Sequence, residues 1–306
     1  MIYAIASGKG GTGKTTVTAS LAALWDRPVM AVDLDVEEPN LHLFLHPELT
    51  GEEPALMEVP EVDTTRCTLC GQCAAFCQFK ALSVMGKKLL IFPEMCHGCG
   101  GCLLLCPEKA LSPGGRELGQ IVSGSFRTDH LSSGRPEDAP FLMGRLRVGE
   151  AMSPPLMRQV KARLPESGAT DILIDSPPGV SCPAVNAVMD ADVIVLVTEP
   201  TPFGLHDFRL AVEAFRPLGK PLGAVINRAD INRRAGISDT GVQDFCRAEG
   251  IPVWAEIPFN RAVAEAYSRG EVVARAVPEL RAVILALMAH MQGAAAASKP
   301  EEADHA

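Results

Sequence analysis

The sequence predicts a doubly wound α/β fold with a mostly parallel sheet, interrupted by a small inserted domain. Short apolar strands alternate with helical segments along the chain, and a glycine-rich loop follows the first strand. Eight of the ten cysteines fall between Cys67 and Cys106, where that alternation stops. The first two observations predict the main fold, and the third predicts an α+β insertion within it.

Length, charge and cysteine usage limit the kind of protein. With 306 residues the chain can form one large domain or two smaller ones. Its formal net charge of −9 argues against nucleic acid as the main partner, because binding a phosphate backbone needs a basic surface. Without a visible leader, ten cysteines indicate metal ligation in a reducing compartment. We therefore expect a cytoplasmic protein, and the apolar run from Val283 to Ala289 is too short for a membrane anchor.

The first βαβ unit is predicted from a strand at Ile2 to Ala6, a helix at Lys14 to Leu24 and a strand at Val29 to Asp33. Short, apolar, β-branched strands of this kind are typical of buried parallel sheets. The same patterns continue after the cysteines. They predict strands at Ile172–Ile174, Val193–Thr198, Leu222–Ile226 and Val253–Ile257, and helices at Pro155–Leu164, Leu205–Phe215, Gly241–Ala248 and Glu279–Met291.

The domain boundaries follow from where these patterns break. Residues 1–59 and 116–297 are assigned to one discontinuous domain that carries the glycine-rich loop, and residues 60–115 to the inserted domain. A segment rich in Ser, Gly, Pro and charge, Ser123 to Pro140, is expected to be a linker or mobile loop. The acidic tail, residues 298–306, is expected to be disordered.

A phosphate-binding loop is the clearest motif of the first domain. Residues Gly8 to Thr15 match the pattern G-x4-G-K-[ST] between a strand and a helix. Backbone N–H groups of such a loop converge on phosphate oxygens, Lys14 reaches the terminal phosphates, and the Thr15 hydroxyl ligates Mg²⁺. The predicted nucleotide-binding residues of this loop are Gly8, Lys9, Gly10, Gly11, Thr12, Gly13, Lys14, Thr15 and Thr16.

The second lysine of the loop, Lys9, points to a particular group. With Lys9 the loop resembles that of the deviant Walker A ATPases, which include MinD, ParA, Mrp-type proteins and the nitrogenase iron protein. The resemblance implies a nucleotide-sandwich dimer in the ATP state, either of two identical chains or with a paralogue. It also implies that Lys9 crosses to the partner's nucleotide as a catalytic residue. The alternative is an ordinary exposed loop lysine.

Two aspartates at strand ends complete the predicted catalytic set with Lys9 and Lys14. Carboxylates at the carboxyl ends of parallel strands face the ligand crevice. Asp35 is expected to orient the attacking water, and the resemblance implies a nucleotide contact for Asn40. Asp175 begins an Asp-Ser-Pro-Pro-Gly segment that resembles the second switch of the family and is expected to hold Mg²⁺. Helix capping or a plain turn is the alternative.

The base-binding residues are less constrained by the sequence. Asn227 and Arg228 follow a strand where the family has an adenine-recognising asparagine. The same segment resembles the guanine motif Asn-Lys-x-Asp, with Arg in place of Lys. The later Asn260 and the family precedent favour ATP over GTP.

The cysteines form two runs with the spacing C-x2-C-x2-C-x3-C. Zinc sites usually combine two separated cysteine pairs, whereas these compact runs resemble a two-cluster bacterial ferredoxin, in which each fourth cysteine ligates the other cluster. Gln78 departs from that pattern, because a proline is expected after Cys77. The first predicted [4Fe–4S] ligand set is Cys67, Cys70, Cys73 and Cys106. The second is Cys96, Cys99, Cys102 and Cys77.

Two further cysteines stand outside these runs. Cys246 is expected to be a small buried hydrophobic residue of a helix. Cys182 is expected to pack near a helix start, and the alternative is a cluster that bridges two subunits.

The whole pattern resembles MinD/ParA-type ATPases with an inserted two-cluster ferredoxin domain. It predicts a Mg²⁺-dependent ATPase, slow without a partner, whose nucleotide state is coupled to two [4Fe–4S] clusters and to a redox or iron–sulfur partner protein. An iron–sulfur carrier of Mrp type is the first alternative. A MinD-like positioning ATPase in a cell-division-related complex is the second.

Overall fold

The computed structural model describes residues 1–129, 137–231 and 240–298. The strands are β1 Ile2–Ala6, β2 Val29–Asp33, β3 Glu48–Val62, β4 Leu82–Met85, β5 Lys88–Ile91, β6 Leu111–Thr128, β7 Glu137–Leu146, β8 Asp171–Asp175, β9 Val193–Thr198, β10 Leu222–Asn227 and β11 Val253–Ile257. The α-helices are α1 Lys14–Leu24, α2 His42–Leu45, α3 Gln72–Phe76, α4 Gly101–Leu105, α5 Ser153–Ala162, α6 Cys182–Val188, α7 Pro202–Phe215, α8 Gly241–Ala248, α9 Arg261–Ser268, α10 Val273–Ala276 and α11 Pro278–Ala297.

One nine-stranded sheet organises the chain, in the order β11-β10-β9-β1-β8-β2-β7-β6-β3. Its strands from β11 to β7 are all parallel, and β1 lies between β8 and β9. The central strands are buried on both faces, between two apolar clusters. The predicted doubly wound, mostly parallel sheet is therefore confirmed, and because the strands are parallel their carboxyl ends meet at one edge.

The other end of the sheet is antiparallel and was not predicted. β6 pairs with β7, and β3 pairs with β6 as the edge strand. The expectation of a loop from Ser123 to Pro140 is wrong for its described residues, because residues 123–128 belong to β6 and residues 137–140 to β7. Val122 and Phe126 point into the core on alternate positions of β6, so burial there outweighs the loop-forming composition. Residues 130–136 lie outside the described part.

The cysteine segment is carried on a two-stranded stem. Gly119 of β6 pairs with Leu146, the last residue of β7, so β6 residues 111–118 and the paired residues of β3 extend beyond the carboxyl edge of the parallel strands. The part of the chain that connects the two stem strands contains the helices α3 and α4 and the β4–β5 hairpin. The predicted boundaries at residues 60 and 115 fall inside the stem strands.

The helix Pro278–Ala297 closes the described chain and packs on β11 and α1. Its side chains at Leu280, Ile284, Leu287 and Met291 are buried in the core. It is also long and apolar enough to cross a membrane by length and composition, the one such helix among the described residues, with 33% of its most apolar stretch buried. The predicted disordered tail begins at Ser298, and its residues 299–306 lie outside the described part of the chain.

Candidate functional site

The phosphate loop joins β1 to α1 at the carboxyl edge of the sheet. Gly8 has no room for a side chain, since a Cβ there would lie 2.0 Å from the backbone oxygen of Asp207 in α7. Gly13 adopts a left-handed φ of 98°, which glycine accepts without strain. Lys14 begins α1 and is only 7% exposed, while the Thr12 hydroxyl is buried without a hydrogen-bond partner among the described residues.

Asp175 ends β8 beside this loop and is fully buried. Its two carboxylate oxygens accept hydrogen bonds from the hydroxyls of Thr15, at 2.6 Å, and Thr18, at 3.0 Å. Burial raises the pKa of Asp175, and the nearby Lys14 ammonium opposes that shift. The predicted magnesium-binding pair, Thr15 and Asp175, is thus in direct contact.

Asp33 fixes the loop that follows β2, a role that the sequence did not reveal. Its carboxylate is fully buried and accepts backbone hydrogen bonds from Asp35, at 3.0 Å, and Leu41, at 2.9 Å. Burial first, and the neighbouring Asp175 second, raise the pKa of Asp33 well above its usual range. Burial also raises the pKa of Asp35 to about 6, although Lys14 counteracts the shift.

Lys9 is paired with a carboxylate that the sequence did not single out. Its Nζ lies 3.4 Å from Oε1 of Glu199, the residue that follows β9. The other oxygen of Glu199 accepts a hydrogen bond from Arg228 Nη1 at 2.9 Å. Glu199 is only 7% exposed, so one buried carboxylate connects two of the predicted site residues. The sequence alone does not identify Glu199, because its role depends on the folded sheet, which brings the ends of β1, β9 and β10 together.

The predicted base-binding residues have different surroundings. Asn227 donates from its side chain to the backbone oxygen of Thr12 at 2.7 Å, which ties the end of β10 to the phosphate loop. Asn260 caps α9 by accepting a hydrogen bond from Ala262 N–H at 2.9 Å. Asn40 is exposed, and its described hydrogen bond is made by the backbone carbonyl. Their contacts with a nucleotide remain predictions.

Two cavities in the cysteine segment are each lined by four cysteines. The cysteines of the first cavity are Cys67, Cys70, Cys73 and Cys106. Those of the second are Cys77, Cys96, Cys99 and Cys102. Each cavity thus combines three cysteines of one run with the fourth cysteine of the other run. These are the two groupings predicted as ligand sets.

The surroundings of these sulfurs combine backbone donors with burial. The Sγ atoms of Cys77 and Cys106 each accept a backbone N–H at 3.3 Å, and that of Cys96 accepts one at 3.4 Å. Burial raises the pKa of the Cys73 thiol, and burial followed by the proximity of Cys96 raises that of Cys102 to about 11. Bound iron would reverse this preference, because a coordinating thiol is deprotonated.

No three His, Cys, Asp or Glu side chains converge on a single metal position in the part of the chain that the structure describes. A cubane cluster makes a different demand. Its four iron atoms each take one cysteine, so the sulfurs surround a volume rather than a point.

A profile of a known protein family matches most of this chain. The profile of the CobQ/CobB/MinD/ParA nucleotide-binding domain matches residues 3–273. The chain belongs to this family. The predicted MinD/ParA-type P-loop relationship is thereby confirmed, and the phosphate loop at Gly8 to Thr15 lies inside the matched region.

The chain is also similar to curated relatives and to solved structures. The uncharacterized protein MJ0578 of Methanocaldococcus jannaschii is 35% identical over 235 residues, which cover 76% of this chain and 79% of that protein. MinD of Pyrococcus horikoshii, solved with Mg-ADP, has a TM-score of 0.55 at 21% identity and covers 97% of this chain and 98% of its own. MinD of Pyrococcus furiosus has a TM-score of 0.53, also at 21% identity, and covers 95% and 98%. These structures establish a shared fold.

Proposed function

We propose that this protein is a Mg²⁺-dependent ATPase that acts as a dimer and whose nucleotide state is coupled to two [4Fe–4S] clusters. The observation that carries the redox part is the composition of the two cavities, each with three cysteines of one run and the fourth of the other. Membership of the CobQ/CobB/MinD/ParA family carries the nucleotide part.

Each of the proposed ATP-binding residues has its own role. The backbone N–H groups of the loop and the buried Lys14 bind the phosphates, while Thr15 and Asp175 hold Mg²⁺. Asp35 orients a water that attacks the γ-phosphorus. The bond to the bridging oxygen of ADP breaks as the new P–O bond forms, and the water proton passes to phosphate and solvent.

The cysteine segment fits iron–sulfur clusters in its donors and its backbone. The four sulfurs of each cavity match the four irons of a cubane, and N–H groups aimed at Cys77, Cys96 and Cys106 stabilise thiolate charge. Bound clusters would supply one-electron transfer. The chain itself contributes the ligands, the burial and the N–H donors that set the potential.

A second copy of this chain is the proposed partner in the ATP state. Lys9 is accessible at the carboxyl edge, with its side chain 30% exposed. Segments that follow strands at the same edge expose apolar side chains, among them Val148 after β7, 99% exposed, and Phe203 in the first turn of α7, 78% exposed. A second copy of the chain that packs on this edge would remove such apolar side chains from water, which favours association.

The decisive experiment measures iron, sulfide and ATP hydrolysis on one anaerobic sample. We expect about eight iron and eight sulfide per chain, four for each of two clusters, and an ATPase rate that differs between oxidised and dithionite-reduced protein. The matched controls are Lys14→Ala for the nucleotide site and Cys246→Ser for a buried cysteine outside both cavities. About four iron per chain, or identical rates in both redox states, would contradict the proposal.

A MinD-like positioning ATPase is the second candidate. The solved MinD structures share the fold, and the apolar helix Pro278–Ala297 is only partly buried. This candidate predicts that the protein sediments with vesicles of anionic and zwitterionic lipids when Mg-ATP is present, and stays in solution with Mg-ADP. No sedimentation in either nucleotide state would count against it.

A further inference from the structure

A set of hydrogen bonds leads from the Asp35 loop to the chain beyond β7. The carbonyl of Val36 accepts the N–H of Leu146, the last residue of β7, at 2.8 Å. The carboxylate of Glu37 accepts the hydroxyl of Ser153, the first residue of α5, at 3.0 Å. Both acceptors lie within two residues of Asp35, so this loop is hydrogen-bonded to both ends of the segment 146–153.

The same residues 146–153 hold the stem of the cysteine segment. The N–H of Arg147 donates to Leu118 of β6 at 2.8 Å. Arg116, two residues further toward the cysteines, makes a bidentate pair with Glu150, with N–O distances of 2.9 and 3.3 Å. Glu150 Oε1 also accepts the N–H groups of Ala151 and Met152, both at 3.0 Å.

Burial gives the Arg116–Glu150 pair an effect that a surface ion pair lacks. The side chains are 8% and 2% exposed. In such surroundings a charge left without its partner is costly, so the two groups move together. The pair therefore links the stem to the segment that precedes α5, and we expect the two to move together.

The stem leads directly to the first cysteine cavity. Leu111, five residues before Arg116 on the same strand, lines that cavity. The preceding residue, Ala110, donates its N–H to Cys106 Sγ at 3.3 Å. A shift of the stem along its axis thus changes a hydrogen bond to a cysteine sulfur, and such bonds tune cluster potentials.

From this arrangement we infer that Arg116 and Glu150 are positioning residues that couple the nucleotide site to the cysteine segment. The inference rests on the proposed function and deepens it, since it names the residues through which one site influences the other. Coupling is reciprocal for binding equilibria, so the redox state must change ATP affinity by the same factor as ATP changes the redox equilibrium.

The test uses full-length, cluster-loaded protein and three variants. Glu150→Gln keeps an oxygen acceptor for the two N–H groups and removes the charge. The double variant Arg116→Met/Glu150→Met replaces the pair by apolar side chains and leaves no unpaired buried charge. The matched control, Arg163→Met/Glu53→Met, removes an ion pair that also ties the edge strand β3 to the chain after α5 but is about half exposed.

The main measurement is the Kd for Mg-ATP in oxidised and in dithionite-reduced protein. We expect the two values to differ by about 5-fold or more in the wild-type chain, as is common for allosteric coupling. In both network variants the ratio should fall to within about 2-fold of one, with iron content and oxidised-state Kd unchanged. The control should keep the wild-type ratio.

A second readout does not depend on activity. Mg-ATP should alter hydrogen exchange in the stem peptide, residues 111–118, of the wild-type and control proteins, and not of the network variants. If Glu150→Gln loses iron, the inference is tested with the double variant, which leaves no unpaired buried charge. A wild-type ratio preserved in the variants overturns the inference alone, whereas a wild-type ratio of one overturns the proposed coupling and the inference with it.

Discussion

Lys9 Nζ lies 3.4 Å from Glu199 Oε1, so the first lysine of the phosphate loop is paired within its own chain. Glu199 is nearly buried and also binds Arg228, whose backbone has a left-handed φ of 53°. A lysine that is to contact the nucleotide of a second copy must leave this carboxylate. The single-chain structure therefore contains an interaction that competes with the proposed dimer.

The variant Glu199→Gln should strengthen ATP-dependent dimerisation. Removing the charge frees Lys9, and a partly exposed ion pair is worth up to about 1 kcal/mol, which contributes up to about 5-fold to the dimerisation constant for each of the two chains. Sedimentation velocity with Mg-ATP measures the change. Glu249→Gln, which removes a partner from the exposed pair Arg216–Glu249, is the control. Weaker dimerisation in Glu199→Gln than in the control would contradict this role.

Asp175→Asn should abolish ATP turnover while the chain still folds. The asparagine keeps the shape of the buried side chain and loses the charge that holds Mg²⁺, so we expect the rate to fall at least about 100-fold. A coupled-enzyme assay of phosphate release at saturating Mg-ATP measures it.

Thr18→Val is the matched comparison for Asp175→Asn. It removes a hydroxyl that lies 3.0 Å from both the second oxygen of Asp175 and the backbone oxygen of Lys14, and its main effect should be a loss of about 1 kcal/mol in unfolding free energy. Urea denaturation measures that loss. Turnover close to wild type in Asp175→Asn would exclude the aspartate as a magnesium ligand.

Local patterns predicted the parallel half of the sheet well. The strands β1, β2 and β9 and the helix α1 begin and end at the predicted residues. Continuous apolar strands between helices are typical of a buried parallel sheet, and the phosphate loop fixes the start of α1.

The long strand β3 was missed because its sequence does not resemble a strand. It contains Gly51, Pro54 and Pro60 together with five glutamates. As the edge strand of the sheet, β3 tolerates prolines and charges that a central strand excludes. Glu199 and the Arg116–Glu150 pair were missed for another reason, since each depends on segments far apart in the chain.

The pH dependence of turnover should report Asp35. Its pKa in the nucleotide-free chain is raised by burial to about 6, and the water-orienting role requires the carboxylate. We therefore expect kcat/KM, which reflects the free protein, to fall as the pH decreases through about 6. The variant Asp35→Asn should lower the rate and lose this limb of the profile.

The same shift has a consequence for stability, with the opposite sign. The folded-state pKa exceeds the ordinary value of 3.8, so the folded chain holds the proton more tightly than the unfolded chain. The contribution of Asp35 to stability is complete below about pH 4 and is lost as the pH rises through about 6. Thermal unfolding of nucleotide-free wild type and Asp35→Asn should show a smaller pH dependence for the variant in this window. An equal dependence would show that another group titrates there.

Replacing one cysteine should reveal which sulfurs share a cluster. Cys106 belongs by sequence to the second run but lines the first cavity with Cys67, Cys70 and Cys73. We therefore expect Cys106→Ser to perturb the same spectroscopic signal as Cys73→Ser, and Cys77→Ser to perturb the signal affected by Cys102→Ser. Paramagnetic resonance of the reduced proteins, together with iron counts, distinguishes the two signals.

The crossed arrangement is the informative part of this comparison, because ligand sets confined to each run would pair Cys106 with Cys102 and Cys77 with Cys73. Cys246 provides the control, since it is buried in α8 and lies in neither cavity. Cys246→Ser should leave both signals unchanged. If Cys106→Ser and Cys102→Ser perturb the same signal, the two cavities do not define the clusters, and the ligand assignment must follow the runs instead.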